Sequence, residues 1–536
     1  MTDTQTLAPF TNEPFTDFST PENHRAMQAA LARARAELGN TYDLMIGGKP
    51  VRMKATFDSV NPAAPAEVIG RHYAATAAES NLAVAAAEIA FAGWSKTAAA
   101  ERIALLVRAA ALLRERHFEF CAWLTLEVGK NWAEADADVG ECIDFLEFYA
   151  REAQRLNHAT TPIQYPGERN QLLYVPLGVG AVIPPWNFPL AIMAGMTAAS
   201  IVCGNTVVLK PSPDAPTIAA RFLALLIEAG LPDGVVNLVQ GGAEVGSAMV
   251  EHPQVRFIAF TGSKKVGLQI YERAARTQPG QHFLRRTILE LGGKDSIVVE
   301  ADCDVEAAVE GVAASAFGFS GQKCSACSRV IVADAVYDTF CDRLRERVEA
   351  LTSGDPEHNF AVGPVINEVA RKRVLEYIEL GKSEGRLLTG GKAIDSAGKG
   401  YFIAPTVFAD VAPEARLAQE EIFGPVLAVL RSRNFDDALN IANNTEYGLT
   451  GAIYTHSREK LERAREEFQV GNLYFNRKCT GAMVGAHPFG GFKMSGTDSK
   501  AGGADYLLLF TQAKSIAEKQ GFVSAAAEEQ EERMGL

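Results

Sequence analysis

Cysteine is scarce in this chain, eight in 536 residues, too few for a disulfide framework. Basic charge is in deficit as well: 52 lysines and arginines stand against 65 aspartates and glutamates, a net charge of −13. Neither a nucleic-acid partner nor an anionic membrane surface suits that balance. No internal repeat at periods of roughly 20–50 residues is visible, and no low-complexity linker divides the chain. The N-terminal MTDTQTLAPFTNEPFTDFSTPE is acidic, with no arginine before Arg25. That is unlike a secretory signal or a transit peptide, so a cytoplasmic location is expected. The C-terminal AAAEEQEERMGL reads as a solvated tail. What remains is a globular composition, 47% hydrophobic, on a length that suits roughly two to four domains.

Charge is missing altogether from Gln171 to Leu209, a run long enough to suggest a membrane span. Pro176, Pro184, Pro185 and Pro189 interrupt it, and a lipid-exposed helix so broken would leave backbone groups unsatisfied. The run reads instead as core: a strand over Leu172–Ile183, a proline-bounded loop, a helix over Leu190–Val202 and a strand over Thr206–Leu209.

Residues from about 75 to 155 read as helical, with Ala77–Trp94 and Ala98–Phe120 rich in alanine and leucine. Beyond them, short apolar runs alternate with helical stretches: Val207–Lys210, the helix Thr217–Ala229, Val235–Val239, Val255–Phe260, a helix from Lys264 to Arg276, and Ile288–Leu291. A second alternation starts near Asp295, with helices over Val305–Ala316 and Tyr337–Leu351 around Val330–Ala333, and runs through Phe423–Arg431 to about Asn476. Strands alternating with helices imply parallel sheets. The chain is therefore expected to form two α/β domains, with the helical N-terminal stretch packed on the first.

The sharpest chemical signal is Ser320-Gly-Gln-Lys-Cys324-Ser-Ala-Cys327. A structural zinc would need two further ligands with their own spacing, and no second C-x-x-C or matching histidine pair is present. A redox dithiol normally follows a strand in a much smaller domain. Cys121, Cys203 and Cys341 read as buried small hydrophobes. Cys324, on a loop beside Lys323, reads as a nucleophile whose thiolate the lysine would favour. Such a nucleophile needs a base and oxyanion donors. Glu290, at a strand end before two glycines, is the candidate base, although it reads equally as a buried salt-bridged carboxylate. Asn187, within the uncharged run, is the candidate donor, although a buried amide also serves as a bond to backbone. For a cofactor, no G-x-G-x-x-G occurs in the first sheet. Gly241-Gly242 with Gly246 is a looser version, and Phe260-Thr-Gly-Ser263 follows a strand and opens a helix, which suits a pyrophosphate. Lys210 would sit at a strand's carboxyl edge, where nucleotide riboses lie, or simply be a solvated lysine.

Taken together, PWNFP, GNTVVLKPS, FTGS, LELGGK, GQKC and EEIFGPV occur in the order found in the aldehyde dehydrogenase superfamily, and the chain resembles that superfamily from about residue 45 to 515. The spacing of Glu290 from Cys324 matches as well. The resemblance implies two parallel-sheet α/β domains and a small β oligomerisation flap. These would be an NAD-binding domain over 1–155 and 177–287, a catalytic domain over 288–479, and a flap and tail over 156–176 and 480–536. It implies that Cys324 attacks an aldehyde, that Glu290 activates the hydrolytic water, and that Asn187 and the Cys324 N–H hold the oxyanion. NAD would be bound by Ile183, Pro184, Trp186, Lys210, Ser212, Gly246, Phe260, Gly262, Ser263, Val266, Glu290, Gly292, Glu421 and Phe423, with no metal required.

Narrower features, GQKCSACSR and FNRKCTGAMVGAHPFGG, look like the subfamily that oxidises Δ1-pyrroline-5-carboxylate, as glutamate γ-semialdehyde, in proline degradation. Ser325, Gly481 and Ala482 would then bind the substrate α-carboxylate as a turn of hydroxyl and N–H donors. Lys323 would add positive charge, Phe188 and Phe489 would flank the aliphatic chain, and Glu141 would face the α-ammonium. Core packing is the alternative for both phenylalanines, and a solvated helix face for Glu141. Many superfamily members carry glutamate three residues after the ribose lysine; here Pro213 stands there, followed by Asp214, which leaves tolerance of NADP open. A dehydrogenase of another small aldehyde, such as succinate semialdehyde, is the second reading. A catalytically silent relative would have no need of cysteine, glutamate and asparagine together. A homodimer or assembly of dimers is expected, a monofunctional enzyme rather than a fusion, with a separate proline dehydrogenase as a possible partner.

Overall fold

In the computed structural model, which describes residues 7–157, 162–395 and 399–521, the apolar runs of the sequence form two seven-stranded sheets. In the first, Val179–Ile183, Thr206–Leu209 and Val236–Leu238 run parallel in one direction across the sheet. The chain then returns to the other side of Val179–Ile183 with Val255–Thr261 and Arg286–Glu290, also parallel. Two short antiparallel strands, Leu44–Ile46 and Lys49–Val51, close the far edge. Strands buried on both faces need no polar alternation, which is why they read as continuous apolar runs. The strand order reverses between Val179–Ile183 and Val255–Thr261, so a crevice opens beyond their carboxyl ends, where ligands bind in such sheets.

The second sheet runs Thr406–Ala409, Val426–Ser432, Cys327–Ala333, Asp295–Val299, Thr450–Tyr454 and Asn472–Phe475, all parallel, with Arg386–Thr389 antiparallel at one edge. The helices Val305–Phe317 and Tyr337–Glu349 cross between its strands. The α/β class with parallel sheets is thus as expected from the sequence. A separate antiparallel ribbon pairs Glu168–Pro176 with Thr511–Lys519. No helix among the described residues is long and apolar enough to cross a membrane.

Three expectations are corrected. The single strand over Leu172–Ile183 is two strands in different sheets, because Gly178 turns the chain at φ +139° and the Asn205 carboxamide oxygen accepts from the N–H groups of Leu177 and Gly178 at 2.7 and 2.9 Å. The long helix over Ala98–Phe120 ends at Glu115 and a new one, His117–Val128, follows it, with the Arg116 N–H drawn back to the carbonyls of Leu112 and Leu113. The division at 287/288 falls inside Arg286–Glu290, a strand of the first sheet. The tail expected at the C-terminus lies outside the described residues. Cys121, Cys203 and Cys341 are buried, as expected.

Candidate active site

The loop after Val305–Phe317 is forced into an unusual path. Phe319, Ser320 and Gly321 take φ of 49°, 56° and 68° in succession, and a side chain at Gly321 would strike the Gly424 carbonyl. The buried Gln322 side chain holds this path. Its amide donates to the carbonyls of Phe319 and Pro364 at 3.2 Å, and its oxygen accepts from the Ile366 N–H at 2.8 Å. Strained backbone persists only where the surroundings over-determine it. Here it sets Cys324, half-buried, at the junction of two cavities, with Thr261 the other residue common to both.

The first cavity, about 440 Å³, occupies the switch point of the first sheet, and every residue expected to bind NAD except Glu290 lines it. Lys210 is buried there with only the Pro211 carbonyl as a hydrogen-bond partner among the described residues, at 3.2 Å, and burial lowers its pKa to about 8. A buried cation without a counter-charge asks for a ligand rich in acceptors. Ser263 caps the helix Lys264–Ala274 by accepting from the Val266 N–H, so that helix's N-terminus and its unpaired N–H groups open on the cavity. At the other end the Glu421 carboxylate accepts from the Gly293 N–H at 3.1 Å, and only glycine at 292 leaves room for it. Phe423, at φ +57°, meets the edge of Trp186 at 5.5 Å. A buried amine, a helix N-terminus, a carboxylate and an aromatic wall in one long groove fit a dinucleotide. Pro213 lines the groove, while Asp214 turns away to accept from Asn367 at 3.0 Å.

Glu290 belongs to the second cavity, about 410 Å³, not to the first; its link to the cofactor cleft is its backbone carbonyl, which accepts from the Gly262 N–H. One carboxylate oxygen accepts from the Ser499 hydroxyl at 2.5 Å, and the other is buried without a partner among the described residues. Burial raises its pKa to about 8, against the opposing pull of the Ser499 hydrogen bonds. Asn187 donates one amide N–H to the Gln322 carbonyl at 3.0 Å, which fixes the amide plane and leaves a second N–H without a partner among the described residues, in the cavity that Cys324 also lines. The structure thus contains the backbone bond that was the structural alternative for Asn187, and it orients the donor.

The expected help from Lys323 is not there. Its ammonium is spent on Glu134 at 2.6 Å, and the Cys324 thiol is pushed well above its ordinary range by burial and by the carboxylates of Asp295, Glu290 and Glu421; the Ser325 backbone pulls it down.

All the residues expected to bind substrate, Glu141, Phe188, Lys323, Ser325, Gly481, Ala482 and Phe489, line the second cavity. Glu141 lies on the helix Trp132–Asn157 and has no hydrogen bond or ion pair among the described residues. Burial first, and then the neighbouring Asp138, raise its pKa to about 8. The Phe188 ring faces the Lys130 ammonium, which stands 3.9 Å from the ring centroid. Lys130 in turn pairs with Asp138 at 2.8 Å, both fully buried, and Asp138 also accepts from the Ala191 N–H. Arg477 donates to the carbonyls of Thr480 and Gly481 at 2.8 and 3.0 Å. With φ +75° at Gly481, the N–H groups of Gly481 and Ala482 are left without partners among the described residues. Ser499, Thr261, Arg477 and Lys478 were not foreseen. Arg477 and Lys478 stand within the FNRKCTGAM run and were within reach of it, whereas nothing local marks Ser499.

Residues 51–516 match the profile described as Aldehyde dehydrogenase family. A 1-pyrroline-5-carboxylate dehydrogenase of Geobacillus thermodenitrificans is 56% identical over 96% of this chain and 99% of its own. A crystal structure of 1-pyrroline-5-carboxylate dehydrogenase from Thermus with bound NAD superposes with a TM-score of 0.95 at 52% identity, over 96% of this chain and 100% of that one. Proline utilization A from Bdellovibrio bacteriovorus superposes at 0.94 with 45% identity, over 96% of this chain and 54% of that larger one. On this match of sequence, fold and site, the chain belongs to the aldehyde dehydrogenase family.

Proposed function

We propose that this protein oxidises L-glutamate γ-semialdehyde, formed by hydrolysis of 1-pyrroline-5-carboxylate, to L-glutamate with NAD, a step of proline degradation. The observation that carries the reading is the position of Cys324 between a dinucleotide-shaped cleft and a cavity that Glu141, Gly481 and Ala482 also line, with the Glu141 carboxylate and the Gly481 and Ala482 N–H groups without partners among the described residues. The names of the Geobacillus and Thermus relatives support the same substrate, and the bound NAD of the Thermus structure the same cofactor.

In this reading the substrate carboxylate lies against Ser325, Gly481 and Ala482, its ammonium faces Glu141, and its chain passes between Phe188 and Phe489. The Cys324 thiol gives its proton to the unpartnered Glu290 oxygen, which passes it to solvent, as Sγ adds to the aldehyde carbon. The resulting oxyanion is held by the second N–H of Asn187 and the Cys324 backbone N–H, donors fixed in place before the charge develops. When bound, NAD supplies the hydride acceptor. The carbonyl left behind is a thioester on Cys324. The unpartnered Glu290 oxygen takes a proton from water as that water attacks the thioester carbon; the C–S bond breaks, and the acid leaves with the sulfur restored.

Initial rates of NADH formation with pyrroline-5-carboxylate, succinate semialdehyde and propanal test the reading, with Cys324→Ser as the blank. A preference of at least about tenfold for the first, the factor that 1.4 kcal/mol of differential transition-state binding gives, is expected, and none of it in the variant. Equal rates would leave an aldehyde dehydrogenase of another substrate. The ribbon of Glu168–Pro176, half-buried, and Thr511–Lys519, largely exposed, supports a homodimer built on it, and a proline dehydrogenase would supply the substrate.

A further inference from the structure

The substrate cavity has a wall that lies far from every motif. Glu13, Phe15 and Thr16, from the arm preceding the helix Pro21–Ala36, line it directly. This arm is fastened residue by residue. The Arg151 guanidinium donates to the Ala8 carbonyl at 2.7 Å, Phe10 meets the Phe148 ring edge-on at 5.2 Å, and the Thr16 N–H donates to Asp136 at 2.9 Å. Asp136 is itself held by His117 at 2.6 Å. The Glu13 N–H donates to Asp144 at 2.7 Å, and its carboxylate pairs with Arg114 at 2.9 Å.

Asn12 stands out because its carboxamide hydrogen-bonds two elements at once, the helix Trp132–Asn157 and the loop at Val484, beside the place where Phe148 of that helix packs on Gly485. One N–H donates to Asp144 Oδ2 at 2.8 Å, on the helix that carries Glu141; the other donates to the Val484 carbonyl at 2.9 Å, two residues beyond Ala482. Both hydrogens of the amide are therefore used. Next to that carbonyl, Gly485 takes φ +79° with the Phe10 ring so close that a Cβ would lie 3.2 Å from it. Arg477 fixes the near end of the same loop through the carbonyls of Thr480 and Gly481, and Asn12 fixes the far end. With carbonyls held outside at both ends, the intervening N–H groups of Gly481 and Ala482 stay presented to the cavity.

We propose that Asn12 is a positioning residue for substrate binding: it clamps the Gly481–Val484 loop to the Glu141 helix and so sets the distance between the groups that receive the substrate's carboxylate and its ammonium. The inference rests on the proposed reading of this cavity as an amino-acid aldehyde site. Asn12 touches no reacting atom, so its effect belongs in substrate affinity and not in the chemical step.

The test is steady-state kinetics of Asn12→Ala and Asn12→Asp against the unaltered enzyme, with pyrroline-5-carboxylate and with propanal, which has neither carboxylate nor ammonium. Asn12→Ala is expected to raise KM for pyrroline-5-carboxylate about tenfold with kcat within twofold, and to change kcat/KM for propanal less than twofold. Asn12→Asp keeps the shape but donates to neither acceptor and sets a carboxylate against Asp144, so at least as large a rise in KM is expected. A side chain that merely fills space would be replaced without loss by aspartate, and normal kinetics in Asn12→Asp overturns the proposal. Equal losses on both substrates, or a lowered melting temperature that accounts for them, also overturn it, because the arm would then be structural only. Should the unaltered enzyme fail to prefer pyrroline-5-carboxylate, the reading of the cavity fails first, and the role of Asn12 falls with it.

Discussion

The Ser499 hydroxyl donates to Glu290 at 2.5 Å and leaves the second carboxylate oxygen buried, with no partner among the described residues. One oxygen is thus anchored so that the other is aimed. The hydrogen bond also favours the charged carboxylate, against burial that raises the pKa to about 8. Removing it moves that pKa further up, so less of the base is ionised at neutral pH. Ser499→Ala is therefore expected to shift the rising limb of the kcat–pH profile to higher pH and to lower kcat several-fold at pH 7, with a smaller loss at pH 9. A profile measured from pH 6 to 10 decides it; a uniform loss at every pH would mean that Ser499 only supports the fold.

Glu290 itself carries a sign that can be checked without catalysis. Its folded pKa lies above that of the unfolded chain, so the neutral carboxyl suits the fold. Any stability it contributes is present at low pH and is lost as pH rises through about 8. Glu290→Gln removes that loss. Its melting temperature relative to the parent is expected to be higher at pH 9 than at pH 5, while kcat falls by about 10²–10⁴ as for a missing general base. Thermal melts at the two pH values test the first part; an unchanged difference would mean that Glu290 is solvated in the folded protein.

Much of this was legible beforehand, for identifiable reasons. Parallel strands buried on both faces print themselves as apolar runs, and the glycines at 262 and 292 mark places where a side chain would collide with Phe260 or Glu421. What escaped depends on partners remote in sequence. Asn12 reaches Asp144 and Val484, 132 and 472 positions away, and an arm without periodicity gives no hint of either. Lys323 beside Cys324 reads as an activating charge until Glu134, 189 positions away, takes up its ammonium. Ser499 sits in a run of small polar residues like any surface loop. The break at Gly178 is hidden because the runs on either side of it are equally apolar, although they belong to different sheets.

Glu141 offers a carboxylate to the second cavity with no hydrogen-bond or ion-pair partner among the described residues, and burial and Asp138 raise its pKa to about 8. Lys130 and Lys323 act on it only from a distance, whereas a substrate ammonium would bond it directly, and a charged hydrogen bond of that kind contributes about 1.5–3 kcal/mol. Glu141→Gln is therefore expected to raise KM for pyrroline-5-carboxylate by roughly tenfold or more, at 1.4 kcal/mol per factor of ten, and to leave propanal oxidation unaltered. A loss on propanal as large as on pyrroline-5-carboxylate would place Glu141 in the architecture instead of the recognition of the ammonium.

The cofactor cleft has Lys210, Ser212 and Pro213 on one wall, and Asp214 faces Asn367 outside it. Among the described residues no carboxylate on that wall would oppose a phosphate on the adenosine ribose, so NADP is expected to support measurable turnover beside NAD. Pro213→Glu would install the repulsion, since a like charge brought against a ligand phosphate is costly. The ratio of kcat/KM for NADP to that for NAD is expected to drop at least tenfold in the variant. If the parent already rejects NADP completely, another part of the cleft makes the choice.

Beneath Phe188, Lys130 and Asp138 form an ion pair that is fully buried on both sides. Asp138 also accepts from the Ala191 N–H at the start of Ala191–Val202, and the Lys130 ammonium rests on the rings of Phe188 and Phe319 at 3.9 and 5.0 Å. Such a pair adds little stability when intact, because both charges have been taken out of water, but removing one partner strands the other. Asp138→Ala is expected to cost about 3–5 kcal/mol in urea unfolding. Removing the charge as well, in Lys130→Met with Asp138→Ala, is expected to recover part of that loss, a non-additivity that only contacting residues show. Because the stranded ammonium must move and Phe188 lies over it, the single variant should also bind pyrroline-5-carboxylate more weakly. A cost below about 1 kcal/mol would mean that water reaches Lys130, and that the floor of the cavity is held by the aromatic packing around Phe188 without help from the charges below it.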